Sequence, residues 1–444
     1  MSHYKPYPAY RDSGVEWIGQ LPEHWARASI KHILSAPITD GPHETPVFLN
    51  EGVEFLSVDG IQDGELAFEG KRFISYEDHA RFCKKAKPKI NDVLVGKSAS
   101  VGKVARVKTS NDFNVWSPLA ILRSDPTKCN PTYLEFALKA DSAQQQILLA
   151  GNTSTQANIG MDRLASVGIP LPPITEQHQL TKAIEQETAR IEALIAKKTR
   201  FIELLKEKRQ ALITHAVTKG LDPNVKMKDS GVEWIGEVPE HWSVCKLSYR
   251  YSVELGKMLD EKRITGEHLV PYLRNKDVRW DEINTADLPV MDICPDEIER
   301  YTIKDGDLLV CEGGDVGRAA IWRGGNNVIG YQKALHRLRS ISSDKDSVEF
   351  YAYVLGAAKR NGVFEEGDTK STISHLPAEK FREYRFAFPP LNEQAQIVAS
   401  LTRDSARIDR LTEKTQRSID LLKERRAAFI TAAVTGQIDL REIA

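Results

Sequence analysis

Two stretches of the chain carry apolar side chains at the spacing of a long amphipathic helix. The apolar positions recur at multiples of seven residues: Ile184, Ile191, Leu205 and Leu212 in the first stretch, and Leu401, Ile408, Leu422 and Phe429 in the second. A heptad stripe of this kind is typical of a coiled-coil seam. Thr175 is the expected N-cap of the first helix, and Gly220 and Pro223 are its stop signals. A helix of about 42 residues spans roughly 60 Å.

Outside these stretches, short apolar runs bounded by Gly, Asp and Asn predict β-strands. These runs are Val93–Val95, Ala120–Leu122, Leu308–Val310 and Ala319–Trp322. Thr132–Leu149 and Asp346–Lys359 are expected to form helices. The two regions are therefore predicted to be mixed α and β globules, each large enough to have its own core.

The chain is an internal tandem duplication with an offset of 217 residues. Asp12–Gly19 recurs unchanged as Asp229–Gly236, and the tetrapeptide PEHW at 22–25 recurs at 239–242. Residues 175–219 and 392–436 share 21 identities in 45 positions, whereas the globules are much less alike. We therefore expect six segments: globules at 1–172 and 229–389, long helices at 173–219 and 390–436, a linker at 220–228 and a tail at 437–444.

Charge gives no general support to nucleic-acid binding. The 444 residues include 61 Lys and Arg against 62 Asp and Glu, and residues 1–217 hold 27 against 25. DNA contact must therefore depend on local patches or on partner proteins. The five cysteines form no C-x-x-C pair, which argues against a disulfide framework or a zinc site. With no apolar run of membrane-spanning length and no recognisable secretory leader, a reducing cytosol is expected.

Catalytic signatures are missing from the sequence. Gly96-Lys97-Ser98 resembles the end of a P-loop, but Asn91 stands where the first glycine is required. A nuclease-like set can be assembled from Asp59, Glu69 and Lys71, although polar turns between strands explain these residues better. The recurring His24 and His241 are interpreted as structural. The tryptophans beside them are interpreted as tethers for each globule, with a partner-binding surface as the alternative.

Basic and polar loops are the candidates for DNA contact. In the first globule they are Lys84, Lys85, Lys87, Lys97 and Lys103, with the polar loop Asn152, Thr153, Ser154, Thr155 and Gln156. In the second they are Arg274, Asn275 and Lys276, with the loop Thr369, Lys370, Ser371 and Thr372. Lysines neutralise phosphates, whereas Asn and Gln pair with adenine edges. A solvated charged face and an ordinary capping loop are the alternatives.

Two divergent globules with two similar long helices resemble the specificity subunit of Type I restriction–modification enzymes. The motifs that carry the resemblance are Pro172–Gln177, Pro389–Gln394, Leu204–Arg209, Ala433–Asp439, Asp40–Pro46 and Asn91–Leu94. The resemblance covers essentially the whole chain. It departs from the family pattern at 219–222, where KGLD replaces the GQID of the second copy.

The resemblance implies an α+β fold in which two mixed α/β target recognition domains are separated by two long antiparallel coiled-coil helices, with pseudo-two-fold symmetry. It implies a non-catalytic subunit in which each domain reads half of a bipartite, asymmetric site on double-stranded DNA. The implied partners are two methyltransferase subunits, which bind S-adenosylmethionine, and restriction–translocase subunits, which use ATP and Mg²⁺. This chain itself is expected to bind no cofactor or metal and to have no contact with a membrane. Its expected location is the cytoplasm of a bacterium or archaeon.

Two other classes of function fit the sequence less well. An enzyme with duplicated domains lacks a cofactor loop or catalytic cluster in the sequence. A plain coiled-coil scaffold leaves unexplained why the globules diverged while the helices stayed alike.

Overall fold

The computed structural model describes residues 4–70, 72–151, 158–259, 266–325, 327–342, 344–365 and 375–441. The chain forms two compact units, which are residues 1–199 with 416–444 (unit 1) and residues 200–415 (unit 2). Each unit therefore combines one globule with a part of each long helix. None of the helices in the described ranges is long and apolar enough to cross a membrane.

The globule of unit 1 contains short strands and helices. The strands are β1 (Tyr10–Asp12), β2 (Gln20–Pro22), β3 (Ala26–Ser29), β4 (Thr39–Asp40), β5 (Val53–Leu56), β6 (Ile61–Gln62), β7 (Glu65–Leu66), β8 (Arg72–Ile74), β9 (Val93–Gly96), β10 (Val104–Arg106), β11 (Phe113–Val115), β12 (Leu119–Leu122) and β13 (Gly168–Leu171). The helices are α1 (Tyr76–Cys83), α2 (Pro131–Lys139), α3 (Asp141–Ala150) and α4 (Met161–Ser166), and the long helix α5 (Ile174–Lys219) follows.

The globule of unit 2 repeats this plan. Its strands are β14 (Met227–Asp229), β15 (Glu237–Pro239), β16 (Ser243–Lys246), β17 (Tyr251–Leu255), β18 (Leu269–Leu273), β19 (Val278–Arg279), β20 (Glu282–Ile283), β21 (Val290–Asp292), β22 (Leu308–Cys311), β23 (Ala319–Ile321), β24 (Gly330–Tyr331), β25 (Leu335–Ser340) and β26 (Arg385–Phe388). Its helices are α6 (Ile298–Tyr301), α7 (Val348–Arg360) and α8 (Ala378–Glu383), and the long helix α9 (Leu391–Val434) follows.

The two globules share one sheet topology despite their divergent sequences. A four-stranded antiparallel sheet has the order β10-β9-β12-β4 in unit 1 and β23-β22-β25-β17 in unit 2. A three-stranded sheet pairs β5 in parallel with β11, and β18 in parallel with β24. The duplication has therefore preserved the path of the chain where it has not preserved side chains.

Strands β9 and β22, each one of the two central strands of its four-stranded sheet, are apolar along their length because both of their faces are covered. Val93 and Val95 enter the core that includes Trp25, whereas Leu94 between them enters a second core with Phe113. Successive side chains of a strand point to opposite faces, so a run of apolar residues serves two cores. Leu308–Val310 is arranged in the same way in unit 2.

The single helix expected at Thr132–Leu149 is wrong, because the chain breaks at Ala140 into α2 and α3. Ala140 has extended backbone angles, with φ −70° and ψ 148°. Its N–H closes α2 on Phe136 O, and the N–H of Asp141 donates to the Thr431 hydroxyl at 3.1 Å. Neither Gly nor Pro marks the break, and the partner that accompanies it lies almost 300 residues along the chain.

The long helices begin and end at the repeated motifs. The N-cap expected at Thr175 is wrong: α5 begins at Ile174, because the N–H groups of Glu176 and Gln177 both donate to Pro173 O. Gly220 and Gly436 stop the two helices in the left-handed region, with φ 75° and 71°.

Within each unit, the start of one long helix packs with the end of the other. In unit 1, Ile184 of α5 shares a core with Phe429 of α9, and in unit 2 Leu401 of α9 shares a core with Ile213 of α5. An ion pair between Glu192 and Arg426 in unit 1 recurs as Asp409 with Arg209 in unit 2. Start-with-end packing of this kind is antiparallel.

The structure places the predicted seam residues at different depths. Six are buried, namely Ile184, Ile191, Leu205, Leu401, Ile408 and Phe429. Leu212 and Leu422 are only half-buried, which departs from the regular coiled-coil seam that the heptad stripe predicts. Ile213, Ile419 and Ile430 are buried instead in their neighbourhood, so the seam does not follow a strict heptad.

Candidate nucleic-acid interface

The repeated PEHW and PPxxEQ motifs belong together structurally. His24 Nε2 lies 2.9 Å from Glu176 Oε2 in unit 1, and His241 Nε2 lies 2.8 Å from Glu393 Oε2 in unit 2. Trp25 and Trp242, beside these histidines, are each 1% exposed. These contacts support the structural interpretation of both histidines and both tryptophans.

A tight turn follows the central strand of each four-stranded sheet. In unit 1 it runs from Gly96 to Gly102, and Ala99 occupies the left-handed region with φ 63°. A non-glycine residue there is strained, and such strain concentrates at functional sites. The Ile159 N–H donates to Lys97 O at 2.8 Å, and Ser98 is bridged to Asn158. The turn therefore lies beside Asn158 and Ile159, which follow the polar loop in the sequence.

Unit 2 has the same turn with different side chains. It runs from Cys311 to Gly317, with Gly314 at φ 69° in the position of Ala99. The Leu376 N–H donates to Glu312 O at 2.8 Å, and Gly313 is bridged to His375. Backbone geometry is thus shared while the residue at the base of the turn changes from lysine to glutamate.

The basic side chains near the unit 1 turn converge on one buried carboxylate. Asp40 is 1% exposed, and the Lys85 ammonium donates to its Oδ1 at 2.7 Å. Lys97 Nζ and His43 Nε2 each lie 3.1 Å from its Oδ2. Burial raises the pKa of Asp40, but the ammonium groups of Lys85 and Lys97 lower it by more than burial raises it. The net pKa therefore lies below the ordinary value.

This geometry changes the expected role of several lysines. Lys97 is 9% exposed, because its ammonium is drawn to Asp40, and it is not placed to reach a phosphate. Lys87 pairs with Asp112 at 2.8 Å, and Lys103 donates to Ile61 O at 3.0 Å. The Lys84 side chain is exposed and makes no hydrogen bond or ion pair with the described residues.

In unit 2, two of the three described candidates hold the loop structure together. Arg274 donates from Nε and Nη2 to the carboxylate of Asp277 at 2.8 and 3.0 Å. The Asn275 amide donates to Gly313 O at 3.0 Å and accepts from Arg318, so it supports the turn. Lys276 is exposed, and its side chain has no bond to any residue that the structure describes.

The polar loops lie outside the described residues. These candidates are Asn152, Thr153, Ser154, Thr155, Gln156, Thr369, Lys370, Ser371 and Thr372, together with Lys71 of the nuclease-like set. The P-loop interpretation is not supported, since Gly96-Lys97-Ser98 leads into a turn instead of a helix and Lys97 is committed to Asp40. In the described ranges, no group of three His, Cys, Asp or Glu side chains is arranged to hold a metal ion.

Asp40 and Glu312 were not predicted from the sequence as residues of the candidate site. Asp40 had a signal, because it opens the Asp40–Pro46 motif. Glu312 had none except its alignment with Lys97 across the repeat.

The sequence model described as the Type I restriction modification DNA specificity domain matches residues 45–204 and 239–421, more than half of the chain. The chain belongs to this family. It is therefore a specificity subunit of a type I restriction–modification system, that is, a DNA-recognition subunit and not a catalytic one.

Individual relatives match along nearly the full length. The chain is 25% identical over 442 residues to a protein assigned as the MjaX type I restriction enzyme specificity subunit of Methanocaldococcus jannaschii, covering 96% of both chains. It is 22% identical over 444 residues to the EcoKI specificity subunit of Escherichia coli, covering 95% of this chain and 90% of that one.

Solved structures show the same fold. One, described as the structural basis of complex assembly and conformational transition of the type I R-M system, has a TM-score of 0.66 at 15% identity and covers 93% of this chain and 98% of that one. The HsdS subunit from Thermoanaerobacter tengcongensis has a TM-score of 0.51 at 15% identity and covers 94% and 98%. The implied fold class of two mixed α/β domains and long coiled-coil helices is thereby confirmed.

Proposed function

We propose that each globule reads one half of a bipartite, asymmetric DNA site, and that the long helices fix the spacing between the two half-sites. The observation that carries the proposal is the repeated turn at the end of β9 and β22. Its backbone is the same in both units, but its side chains differ. A shared frame with unlike side chains is what two readers of unlike sequences require.

The charge distribution supports a subunit whose DNA affinity depends on its partners. The net charge is −1, and most basic side chains near the unit 1 turn are engaged within the chain. We infer that two methyltransferase subunits dock on the helices and globules and methylate adenine in each half-site. Restriction–translocase subunits then join for cleavage.

The chemistry of the complex is assigned to those partners. S-adenosylmethionine is expected on the methyltransferase subunits, and ATP with Mg²⁺ on the restriction–translocase subunits. The proposed place of action is the bacterial or archaeal cytoplasm, where the DNA and the other subunits are found.

A domain exchange tests the reading of half-sites. Residues 1–172 are replaced by the matching globule of a family member with a known target, and adenine methylation is mapped after assembly with the methyltransferase subunits. We expect one half-site to change and the other to stay, because each globule has its own core. The reciprocal exchange of 229–389 is the matched control and should change only the other half-site. A change in both half-sites from either exchange would falsify the proposal.

A further inference from the structure

The residue at the base of the repeated turn reverses its charge between the units. Lys97 and Glu312 occupy equivalent positions, since each backbone carbonyl accepts from the residue that follows the polar loop, at 2.8 Å in both units. Their N–H groups also donate to the residue just before equivalent strands, to Pro118 O at 2.8 Å before β12 and to Ala334 O at 3.0 Å before β25. The two residues share the same backbone hydrogen bonds, so their side chains leave equivalent positions of the turn.

Among the residues that the structure describes, Lys97 has a side-chain partner and Glu312 has none. Lys97 is paired with buried Asp40, whose equivalent in unit 2 is Leu255. Glu312 therefore lacks a buried cation, and its carboxylate makes no hydrogen bond or ion pair with the described residues. Half-buried carboxylates normally find a partner, so Glu312 has acceptor capacity that the described residues leave unused.

The surroundings of Glu312 favour a ligand on DNA. His375 and Lys333 are close enough to lower the pKa of the Glu312 carboxyl electrostatically, and Glu379 opposes them. Lys276 is a further exposed cation of the same unit. The turn is held rigidly by the Asn275 amide on Gly313 O and by the Lys359 ammonium on Val316 O at 2.8 Å. Burial raises the pKa of Glu312. A hydrogen bond from an uncharged donor such as a base amino group would offset the free-energy cost of burying the charged carboxylate.

We propose that Glu312 accepts a hydrogen bond from the exocyclic N4 amino group of a cytosine in the half-site read by unit 2. A carboxylate is an acceptor only, and cytosine presents a donor in the major groove, whereas guanine presents acceptors at N7 and O6. In unit 1 the equivalent Lys97 is neutralised, so that globule must read its half-site with other side chains. This inference rests on the proposed function, because it assumes that unit 2 reads one half-site.

The test uses Glu312→Ala and Glu312→Gln in the full chain, assembled with its methyltransferase subunits on a library of randomised sites. For Glu312→Ala we expect discrimination at one base pair of the unit 2 half-site to fall roughly tenfold to a hundredfold, with the other positions unchanged. For Glu312→Gln we expect that position to shift from cytosine towards adenine, since an amide pairs with adenine N6 and N7. Glu233→Gln, an exposed carboxylate of the same unit, is the matched control and should leave the motif as it is.

The outcomes separate this inference from the proposed function. If Glu312→Ala and Glu312→Gln leave every position of the motif unchanged while exchange of 229–389 still changes a half-site, the role of Glu312 is refuted and the half-site proposal stands. If that exchange also changes nothing, the proposed function itself fails. Glu312→Gln is nearly isosteric, so a thermal melt that matches the parent protein keeps the result interpretable.

Discussion

The imidazole of His24 lies 2.9 Å from the carboxylate of Glu176, so two sequence motifs 152 residues apart meet at the start of α5. The next residue, Gln177, is fully buried and extends the junction. Its Oε1 accepts from Asn130 N at 2.8 Å, and its Nε2 donates to Lys128 O and Pro172 O at 3.1 and 2.9 Å. Gln394 makes the equivalent bonds in unit 2. The EQ pair therefore joins each globule to its long helix.

Gln177→Ala should weaken that junction. It leaves backbone groups of Lys128, Asn130 and Pro172 without their partner. The bond to the Pro172 carbonyl is buried, and an unsatisfied buried group costs about 1–3 kcal/mol. We expect a lower free energy of unfolding by chemical denaturation. Gln179→Ala changes an exposed glutamine two residues away and is the control. Equal stability of the two variants would show that the junction does not depend on this amide.

Neutralising single lysines should separate phosphate contact from structural pairing. Lys84→Gln removes an exposed cation with no side-chain bond among the described residues, so it should lower the salt slope of DNA binding by the assembled complex by about 1. Lys87→Gln removes a cation paired with Asp112 and should change the slope less. Binding is measured over a range of salt concentrations. A slope unchanged by Lys84→Gln removes this stretch from the DNA interface.

Lys85→Gln should act on stability instead. It takes one of the two ammonium groups from buried Asp40, which breaks a paired charge network and leaves Lys97 and His43 beside the carboxylate. We expect a lower melting temperature than for Lys84→Gln, its neighbour in sequence. Similar melting temperatures for the two variants would contradict the pairing.

The sequence predicted those features of the fold that depend on neighbouring residues. The helices α5 and α9 follow from apolar periodicity, and their ends follow from Gly220 and Gly436. The break at Ala140 was not predictable, because neither Gly nor Pro stands near it. The ion pair between Lys97 and Asp40 was not predictable either. A lysine in a polar turn is normally solvated, and only the fold brings the distant Asp40 beside it.

His336 should make stability depend on pH. Burial lowers the pKa of His336 to about 4, although its hydrogen bond to Leu376 O opposes the shift. In the unfolded chain the pKa is about 6.5, so between those values the unfolded state binds more protons and stability falls as the pH falls. The loss from this residue between pH 7 and pH 5 should be about 2 kcal/mol.

Denaturant titrations at pH 7 and pH 5 check this dependence. His336→Gln should remove the part of the pH dependence that comes from the buried imidazole, whereas His268→Gln changes an exposed histidine and should leave it intact. If His336→Gln keeps the parent slope, the imidazole is not the source of the effect.

The long helices offer a matched pair of leucines, because Leu205 and Leu422 are equivalent across the repeat. Leu205 is buried in the seam, whereas Leu422 is half-buried. Leu205→Ala should cost about 2–5 kcal/mol, the range for a buried leucine, and Leu422→Ala should cost less. Comparison of the two unfolding free energies checks the order, and a larger loss for Leu422→Ala would contradict it.

Lengthening both helices by one turn should change the gap in the DNA target and not the bases that are read. Four residues add about 6 Å of helix, which corresponds to roughly two base pairs of duplex. The insertions are placed at equivalent positions, after Ala196 in α5 and after Glu413 in α9, so that the ends of both helices keep their contacts with the globules. Methylation of a library of sites with gaps of different length is the measurement. We expect the complex assembled with the lengthened chain to methylate the same two half-sites at a longer gap, because the turns after β9 and β22 are unchanged. An unchanged gap with altered bases would mean that the helices do not set the spacing.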